Sequence, residues 1–237
     1  MVSFNIVNYI RRCCGDMIIQ KKDIHEMSEE YFFDNIYKKK PIILTGIIEQ
    51  WKIHNFDLEK FGELYGNKTA PVRGSKKDDF KEFMEVEVSE YIRYINNNTE
   101  KWYCDFPTDY EEFPNLLYMY SVPKIFKNNT SAYNNSELHE WLYLGSKGTG
   151  TPFHVDIKNS HAWNALIFGE KEWLFAEIGQ DYLNIKDENK CLKYIQKANE
   201  LLYIPPNLPH KVVNTQNSLC ITGNFWDEEL EKSYEME

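Results

Sequence analysis

Hydrophobic and polar positions in the first part of the chain follow a helical period in most places. Ser28 precedes two glutamates and an apolar repeat, which is the pattern of a capped helix. Residues 55–65 and 88–95 also repeat apolar side chains at helical spacing. The apolar run 41–46, bounded by Pro and Gly, instead indicates a buried strand. Residues 1 to about 40 are therefore predicted to be mainly helical.

From residue 102 onward the pattern changes to short apolar runs separated by turns. Strands are predicted at 102–105, 138–144, 165–168, 172–176, 201–204 and 218–222, in addition to 70–73. Regularly spaced short strands in this number favour a sandwich or a barrel. The Asn-rich stretch 126–137 and the charged stretch 179–199 are predicted to be surface loops, the second with some helical turns.

The chain contains neither an internal repeat nor a linker that would divide it into independent units. Its 237 residues fit one sizeable domain with a substantial core. The pattern predicts a mainly β fold with helices. A helical or mixed N-terminal extension over 1–100 would pack on a β-barrel core over 101–237.

Composition places the chain among ordered globular proteins, with 42% hydrophobic and 15% aromatic residues. No apolar run approaches the roughly 20 residues of a membrane span, and the N-terminal segment lacks a signal-peptide cleavage site. The five cysteines form no CxxC pair, which fits reduced thiols. We therefore expect an intracellular protein, cytoplasmic or nuclear, without a membrane partner.

The net charge of −10 bears on the partner. An acidic protein repels phosphate backbones and attracts basic partners. The basic run 38–40 precedes an apolar strand and is interpreted as a solvated loop. We therefore expect a basic protein or peptide substrate rather than nucleic acid, while the oligomeric state stays open.

One group of side chains has the spacing of a metal site. His154 and Asp156 stand two residues apart, so on a strand both would face the same side. His210 follows a Pro-rich turn and is the candidate third ligand. Two histidines and one carboxylate leave one face of an octahedral metal open, as in non-haem Fe(II) oxygenases. The alternative is a hydrogen-bonded strand pair, with His210 as a turn residue.

Lys171 stands among apolar and aromatic residues one strand later. A lysine in this setting either extends to solvent or points inward to pair with a carboxylate. A cosubstrate with a distal carboxylate would need such a cation.

Three stretches resemble the JmjC-domain, cupin-like hydroxylases. They are 148–156 (GTGTPFHVD), 160–173 (SHAWNALIFGEKEW) and 203–214 (YIPPNLPHKVVN). The likeness covers roughly 100–226 and extends more loosely to 40–46. The resemblance implies a double-stranded β-helix fold, of the jelly-roll type, and dependence on Fe(II), 2-oxoglutarate and O2.

The resemblance also implies a role for each matching residue. His154, Asp156 and His210 match the iron ligands. Lys171 matches the lysine that pairs with the distal carboxylate of 2-oxoglutarate, and Thr151 matches a hydroxyl that assists it. Other positions match polar residues of the cosubstrate pocket: Asn164, Tyr103, Thr222 and Asn224. For the last two, the alternative is that they hydrogen-bond to each other on one strand face.

The reaction that the resemblance implies is hydroxylation of a protein side chain, with lysine as the first expectation. N-methyl lysine or arginine demethylation would use the same pocket. A third interpretation is a non-catalytic, cupin-like binding protein. The complete set of three ligands together with Lys171 argues against it.

Overall fold

A computed structural model describes residues 19–74, 83–97, 102–127 and 139–226. The larger of its two sheets has nine strands in the order β1-β2-β11-β8-β13-β6-β5-β3-β4. These strands are β1 (Gln20–Asp23), β2 (Ile42–Thr45), β3 (Thr69–Gly74), β4 (Phe83–Glu87), β5 (Trp102–Pro107), β6 (Glu140–Gly145), β8 (His161–Phe168), β11 (Glu200–Ile204) and β13 (Ser218–Phe225). The smaller sheet has the order β10-β9-β12-β7. Its strands are β7 (Gly150–His154), β9 (Glu170–Phe175), β10 (Leu192–Lys197) and β12 (His210–Asn214).

Helices and short turns connect the strands. The helices are α1 (Glu29–Asn35), α2 (Leu58–Tyr65), α3 (Val88–Asn97) and α4 (Lys124–Lys127). Single 3-10 turns lie at Ile24–Glu26, Ile48–Gln50, Leu116–Tyr118, Ile157–Asn159, Tyr182–Asn184 and Glu188–Lys190. None of the described helices is both long and apolar enough to cross a membrane.

Side-chain caps fix where two of the helices begin. The Ser28 hydroxyl accepts a hydrogen bond from the Tyr31 backbone N–H, as the sequence predicts for α1. The Asp57 carboxylate accepts one from the Lys60 N–H, so α2 begins at Leu58. The helix therefore occupies the last eight residues of the stretch 55–65, in which apolar side chains repeat at helical spacing.

The two faces of the larger sheet carry different cores, because successive side chains of a strand point to opposite faces. The outer face packs against the helices through fully buried residues that include Leu142, Leu144, Trp163, Phe32 and Phe61. The inner face packs against the smaller sheet through Ile43, Leu202, Trp173, Phe175 and Val212. Each large side chain of this kind contributes roughly 1.5–3 kcal/mol on burial. Farther along the inner face, polar side chains replace the apolar ones.

The double-stranded β-helix architecture predicted from the sequence is confirmed by these two facing sheets. Two local predictions are wrong. Residues 20–23 form β1, parallel to β2, rather than a helix, and residues 192–197 form β10 within the predicted loop 179–199. Both strands are rich in Lys and Gln, which lack a strand signature of their own, so pairing with a neighbouring strand decides the outcome. Most of the predicted loop 126–137 lies outside the described residues.

Strands from both sides of residue 100 build the larger sheet. Strand β2 pairs with β11, and β3 and β4 continue the sheet beyond β5. The division into 1–100 and 101–237 stays a prediction about folding units, while the sheet itself draws on both parts.

Candidate metal and cosubstrate site

Two histidines meet across neighbouring strands of the smaller sheet. His154 on β7 and His210 on β12 are register partners, and their ring centroids lie 4.2 Å apart. Asp156 follows just beyond the end of β7. Its two carboxylate oxygens lie 4.0 Å from His154 Nε2 and 3.8 Å from His210 Nε2. The potential ligand atoms of the three residues all lie within 4.8 Å of one another, so one ion can contact all three.

Backbone carbonyls fix the orientation of both rings. His154 Nδ1 lies 2.9 Å from the Pro152 oxygen, and His210 Nδ1 lies 2.9 Å from the Leu208 oxygen. A carbonyl oxygen only accepts, so each Nδ1 carries the hydrogen and each Nε2 presents its lone pair toward Asp156. Two imidazole nitrogens and a carboxylate are the donor set of non-haem Fe(II) oxygenases. The residues present therefore fit a divalent iron ion.

Burial favours the metal-binding form of His210. Loss of solvation lowers the pKa of its imidazole below the usual value, and His154 lowers it further. The Asp156 carboxylate and the Leu208 carbonyl act in the opposite direction without reversing the shift. Neutral imidazole is the form that binds a metal, so less proton release is needed when an ion enters.

Lys171 is buried inside the same sheet, with only 2% of its surface exposed. Its Nζ donates a 2.8 Å hydrogen bond to Asn214 Oδ1, and the two residues are register partners on β9 and β12. Among the described residues, none of the ion pairs includes Lys171. A buried ammonium without a counter-charge is unfavourable, so this position favours an anionic ligand.

Asn214 is a site residue that the sequence reasoning missed. Its Nδ2 donates to Thr149 Oγ1 at 2.9 Å, which fixes the amide so that its oxygen faces Lys171. Asn214 stands four residues after His210 on β12, and residues separated by an even number share one face of a strand. The even spacing from His210 is the feature of the sequence from which Asn214 could have been predicted as a site residue.

Tyr103 approaches the same place from β5. A Cβ added at Gly145 would lie 2.5 Å from Tyr103 Cε2 and closer still to Asn214 Nδ2. The tyrosine ring and the asparagine amide therefore converge on the bare backbone of residue 145. Gly145, also missed in the sequence, makes this close approach possible.

Asn164 and Thr222 are joined across β8 and β13. Asn164 Nδ2 donates to Thr222 Oγ1 at 2.7 Å and contacts Cys220 Sγ at 3.4 Å. The Asn164 side-chain oxygen is buried and has no hydrogen-bond partner within the described part of the chain. It is therefore free to serve a ligand. Asn224 does not bond Thr222; its amide donates to Ser160 Oγ at 2.9 Å.

Thr151 lies on β7 opposite Val212 and is partly buried. Of the residues singled out in the sequence, Asn164 is hydrogen-bonded to Thr222. Tyr103 lies close to Asn214, the hydrogen-bond partner of Lys171. Asn224 is bonded to a residue outside that set.

Comparison with known proteins adds to this geometry, although no family model matches the chain. The chain is 25% identical to the lysine-specific demethylase JMJ21 of Arabidopsis thaliana, over 87% of this chain and 25% of the relative. It is 22% identical to the bifunctional arginine demethylase and lysyl-hydroxylase psr-1 of Caenorhabditis elegans, over 87% of this chain and 61% of the relative. It is 31% identical to the 2-oxoglutarate and iron-dependent oxygenase JMJD4 of Gallus gallus, over 37% of this chain and 26% of the relative.

The chain is a homologue of the JmjC oxygenases. The JmjC resemblance drawn from the sequence is thereby confirmed. The chain spans between 25% and 61% of the length of these JmjC relatives.

Proposed function

We propose that this chain is an Fe(II)- and 2-oxoglutarate-dependent dioxygenase that hydroxylates a protein side chain, with lysine as the first candidate. The observation that carries the proposal is the buried Lys171, which has no ion pair within the described part of the chain, in the same sheet as the His154, Asp156 and His210 cluster. A metal cluster alone fits many functions. A metal cluster with a buried cation nearby fits a cosubstrate that chelates metal at one end and carries a carboxylate at the other.

The side chains divide the work between them. His154, Asp156 and His210 would hold iron, which when bound supplies oxidation by O2 coupled to decarboxylation of 2-oxoglutarate. Lys171 binds the distal carboxylate of the cosubstrate, and Asn214 keeps the ammonium aimed into the pocket. Tyr103, Asn164, Thr151 and Thr222 would line the cosubstrate pocket, with Asn224 at its edge.

Demethylation of N-methyl lysine or arginine is the second candidate, because names of the relatives include both demethylases and a lysyl-hydroxylase. The two reactions differ in product. Hydroxylation adds one oxygen atom to the peptide, whereas demethylation removes a methyl group. A non-catalytic binding protein is the third candidate and predicts neither product.

The cellular setting and the partner are also proposals. Cys104 and Cys220 are free thiols, which supports a reducing compartment, the cytoplasm or the nucleus. The net charge of −10 supports a basic protein substrate rather than nucleic acid.

The proposed function is tested by anaerobic titration with Fe(II) and 2-oxoglutarate, followed by O2 and a peptide panel read by mass spectrometry. The expected result is O2-dependent 2-oxoglutarate consumption that is lost in His154→Ala. His25→Ala is the matched control, since His25 is exposed and far from the cluster in the sequence. Absence of Fe(II) and 2-oxoglutarate binding in the wild-type protein would reject the oxygenase.

A further inference from the structure

The turn that carries Asp156 contains strained backbone. Asp156 lies between β7 and β8, and a single 3-10 turn, Ile157–Asn159, follows it. Lys158 and Asn159 are both left-handed, with φ of 48° and 50°. Asparagine tolerates this conformation, whereas it is unfavourable for lysine. The strain therefore lies mainly at Lys158, two residues after the carboxylate of the metal cluster.

An indole from the end of β13 bonds the strained residue. Trp226 directly follows β13, and its Nε1 donates to the backbone oxygen of Lys158 at 3.3 Å. The Trp226 side chain is buried, and its ring packs edge-on against His139, with the ring centroids 4.9 Å apart. Packing therefore fixes the indole on one side, and its N–H fixes the turn on the other.

The bonded peptide unit is also the one that contacts Asp156. The Lys158 carbonyl and the Asn159 N–H belong to the same peptide, and this N–H donates to the Asp156 backbone oxygen at 3.0 Å. Relaxation of Lys158 to a negative φ would rotate that peptide and break both of its hydrogen bonds. The Asp156 backbone would lose its support, although its side chain must reach both histidines of the cluster.

A second side chain of β13 fixes the end of the same turn. Asn224 Nδ2 donates to the hydroxyl of Ser160 at 2.9 Å, and Ser160 is buried. The backbone N–H of Asn224 donates to the carbonyl oxygen of His139, whose ring packs against Trp226. Asn224 and Trp226 therefore attach the turn to one strand end, and His139 contacts both of them.

We propose that Trp226 is a positioning residue of the metal site, which keeps the Lys158 peptide left-handed and thereby presents the Asp156 carboxylate to the ion. Asn224 supports the same turn through Ser160. Strained backbone persists where the surrounding contacts over-determine it, and such strain is concentrated at functional sites. The proposal rests on the proposed function, since it takes Asp156 as a metal ligand.

The first test is Trp226→Phe, which keeps a buried aromatic ring and removes the N–H donor. Anaerobic isothermal titration of the full chain with Fe(II) is expected to show a dissociation constant raised about tenfold or more, as is typical when a group that orients a metal ligand is lost. Trp51→Phe is the matched control, because Trp51 is also buried but packs in the outer core against Tyr120. It is expected to bind Fe(II) as tightly as the wild-type protein.

Two substitutions of exposed Lys158 separate positioning from a general loss of packing. Lys158→Gly and Lys158→Ala both remove the side chain, but only glycine adopts the left-handed conformation without strain. In the Trp226→Phe background, Lys158→Gly is expected to restore Fe(II) affinity to within about threefold of wild type, because the strain is gone. Lys158→Ala is expected to restore none of it. A purely structural role for the indole predicts no difference between the two double variants.

The strain at Lys158 is also measurable without metal. In the metal-free protein, Lys158→Gly is expected to melt about 2–4 °C above Lys158→Ala. This comparison leaves Trp226 intact, so it tests the proposal even if Trp226→Phe fails to fold. Equal melting temperatures would mean that the turn stores no strain, and the proposal would be wrong.

Wild-type Fe(II) affinity in Trp226→Phe would also overturn the proposal, as would equal rescue by Lys158→Gly and Lys158→Ala. Absence of Fe(II) binding in the wild-type protein would reject the metal site and this role of Trp226 together. Failure of the oxygenase alone has a different result: Fe(II) binds and its affinity depends on Trp226, but 2-oxoglutarate is not consumed.

Discussion

Lys171 and Asn214 face each other across β9 and β12, and the lysine ammonium donates to the asparagine oxygen at 2.8 Å. A carboxylate at residue 214 would have neutralised the lysine. The neutral amide instead orients the ammonium and leaves its charge for a ligand. The Nδ2 end of the Asn214 amide lies against the backbone of Gly145. The Asn214 side chain therefore takes part both in the close packing at Gly145 and in the orientation of the Lys171 charge.

Replacing Lys171 by Met retains most of the side-chain volume and removes the charge. The dissociation constant for 2-oxoglutarate is expected to rise at least about tenfold, because a charge-assisted contact contributes about 1.5–3 kcal/mol. Fe(II) affinity is expected to stay unchanged, since Lys171 is not one of the cluster residues. Isothermal titration under anaerobic conditions measures both quantities. Lys193→Met is the control, as Lys193 pairs with Glu172 at the surface of the same sheet. An unchanged 2-oxoglutarate affinity in Lys171→Met would remove the lysine from the site.

Gly145→Ala is expected to disturb the pocket from within. The added Cβ would collide with the Tyr103 ring and the Asn214 amide, and overpacking of this kind costs about 1–3 kcal/mol of unfolding free energy. Urea denaturation measures the stability, and 2-oxoglutarate titration measures the pocket. Gly62→Ala serves as the control. Gly62 lies within α2, and a Cβ added there would meet only the flexible end of the Ile92 side chain. Wild-type 2-oxoglutarate affinity in Gly145→Ala would show that Tyr103 and Asn214 have no part in cosubstrate binding.

Metal binding is expected to stabilise the fold. A ligand that binds only the folded state adds about 2.7 kcal/mol at a concentration one hundred times its dissociation constant. Fe(II) added without oxygen should therefore raise the melting temperature, and a chelator should reverse the rise. His210→Ala should abolish the metal-dependent rise, while His25→Ala should retain it. A rise of equal size in His210→Ala would mean that the ion binds elsewhere.

Asp105 is expected to leave a signature in the pH dependence of stability. Burial raises its pKa from 3.8 to about 6, despite the opposing effect of Arg73. Because the folded-state pKa is the higher one, the folded protein takes up this proton first as the pH falls. As the pH falls from 7 to 4, the cost of burying the charged Asp105 carboxylate is therefore relieved. The free energy of unfolding gains roughly 3 kcal/mol at most from this group.

The measurement is the difference in unfolding free energy between the wild-type protein and Asp105→Asn across that range. Other titrating groups contribute equally to both proteins and cancel. The difference should shift in favour of the wild-type protein as the pH falls through about 6. A flat difference would mean that Asp105 keeps an ordinary pKa.

The short-range part of the candidate site could be predicted from the sequence. His154 and Asp156 are two residues apart, so their side chains fall on the same side once the segment is extended, as its sequence predicts. The sequence left two directions open for Lys171, and only the packing of β9 between β10 and β12 turns it inward. His154 and His210 meet through the register of β7 and β12, which no local pattern determines. Strand β10 went unrecognised for a related reason, since its polar residues gain strand structure only by pairing with β9.

The pairing of β2 with β11 limits how far the chain can be shortened. A fragment starting at residue 101 would retain the proposed ligands and Lys171 but would leave β11 as an open edge, and every residue of that strand is buried in the intact protein. An exposed apolar edge of this kind recruits other strands and promotes aggregation. Catalytic fragments cut just ahead of the ligand-bearing half would therefore precipitate, even though no residue of the site had been removed.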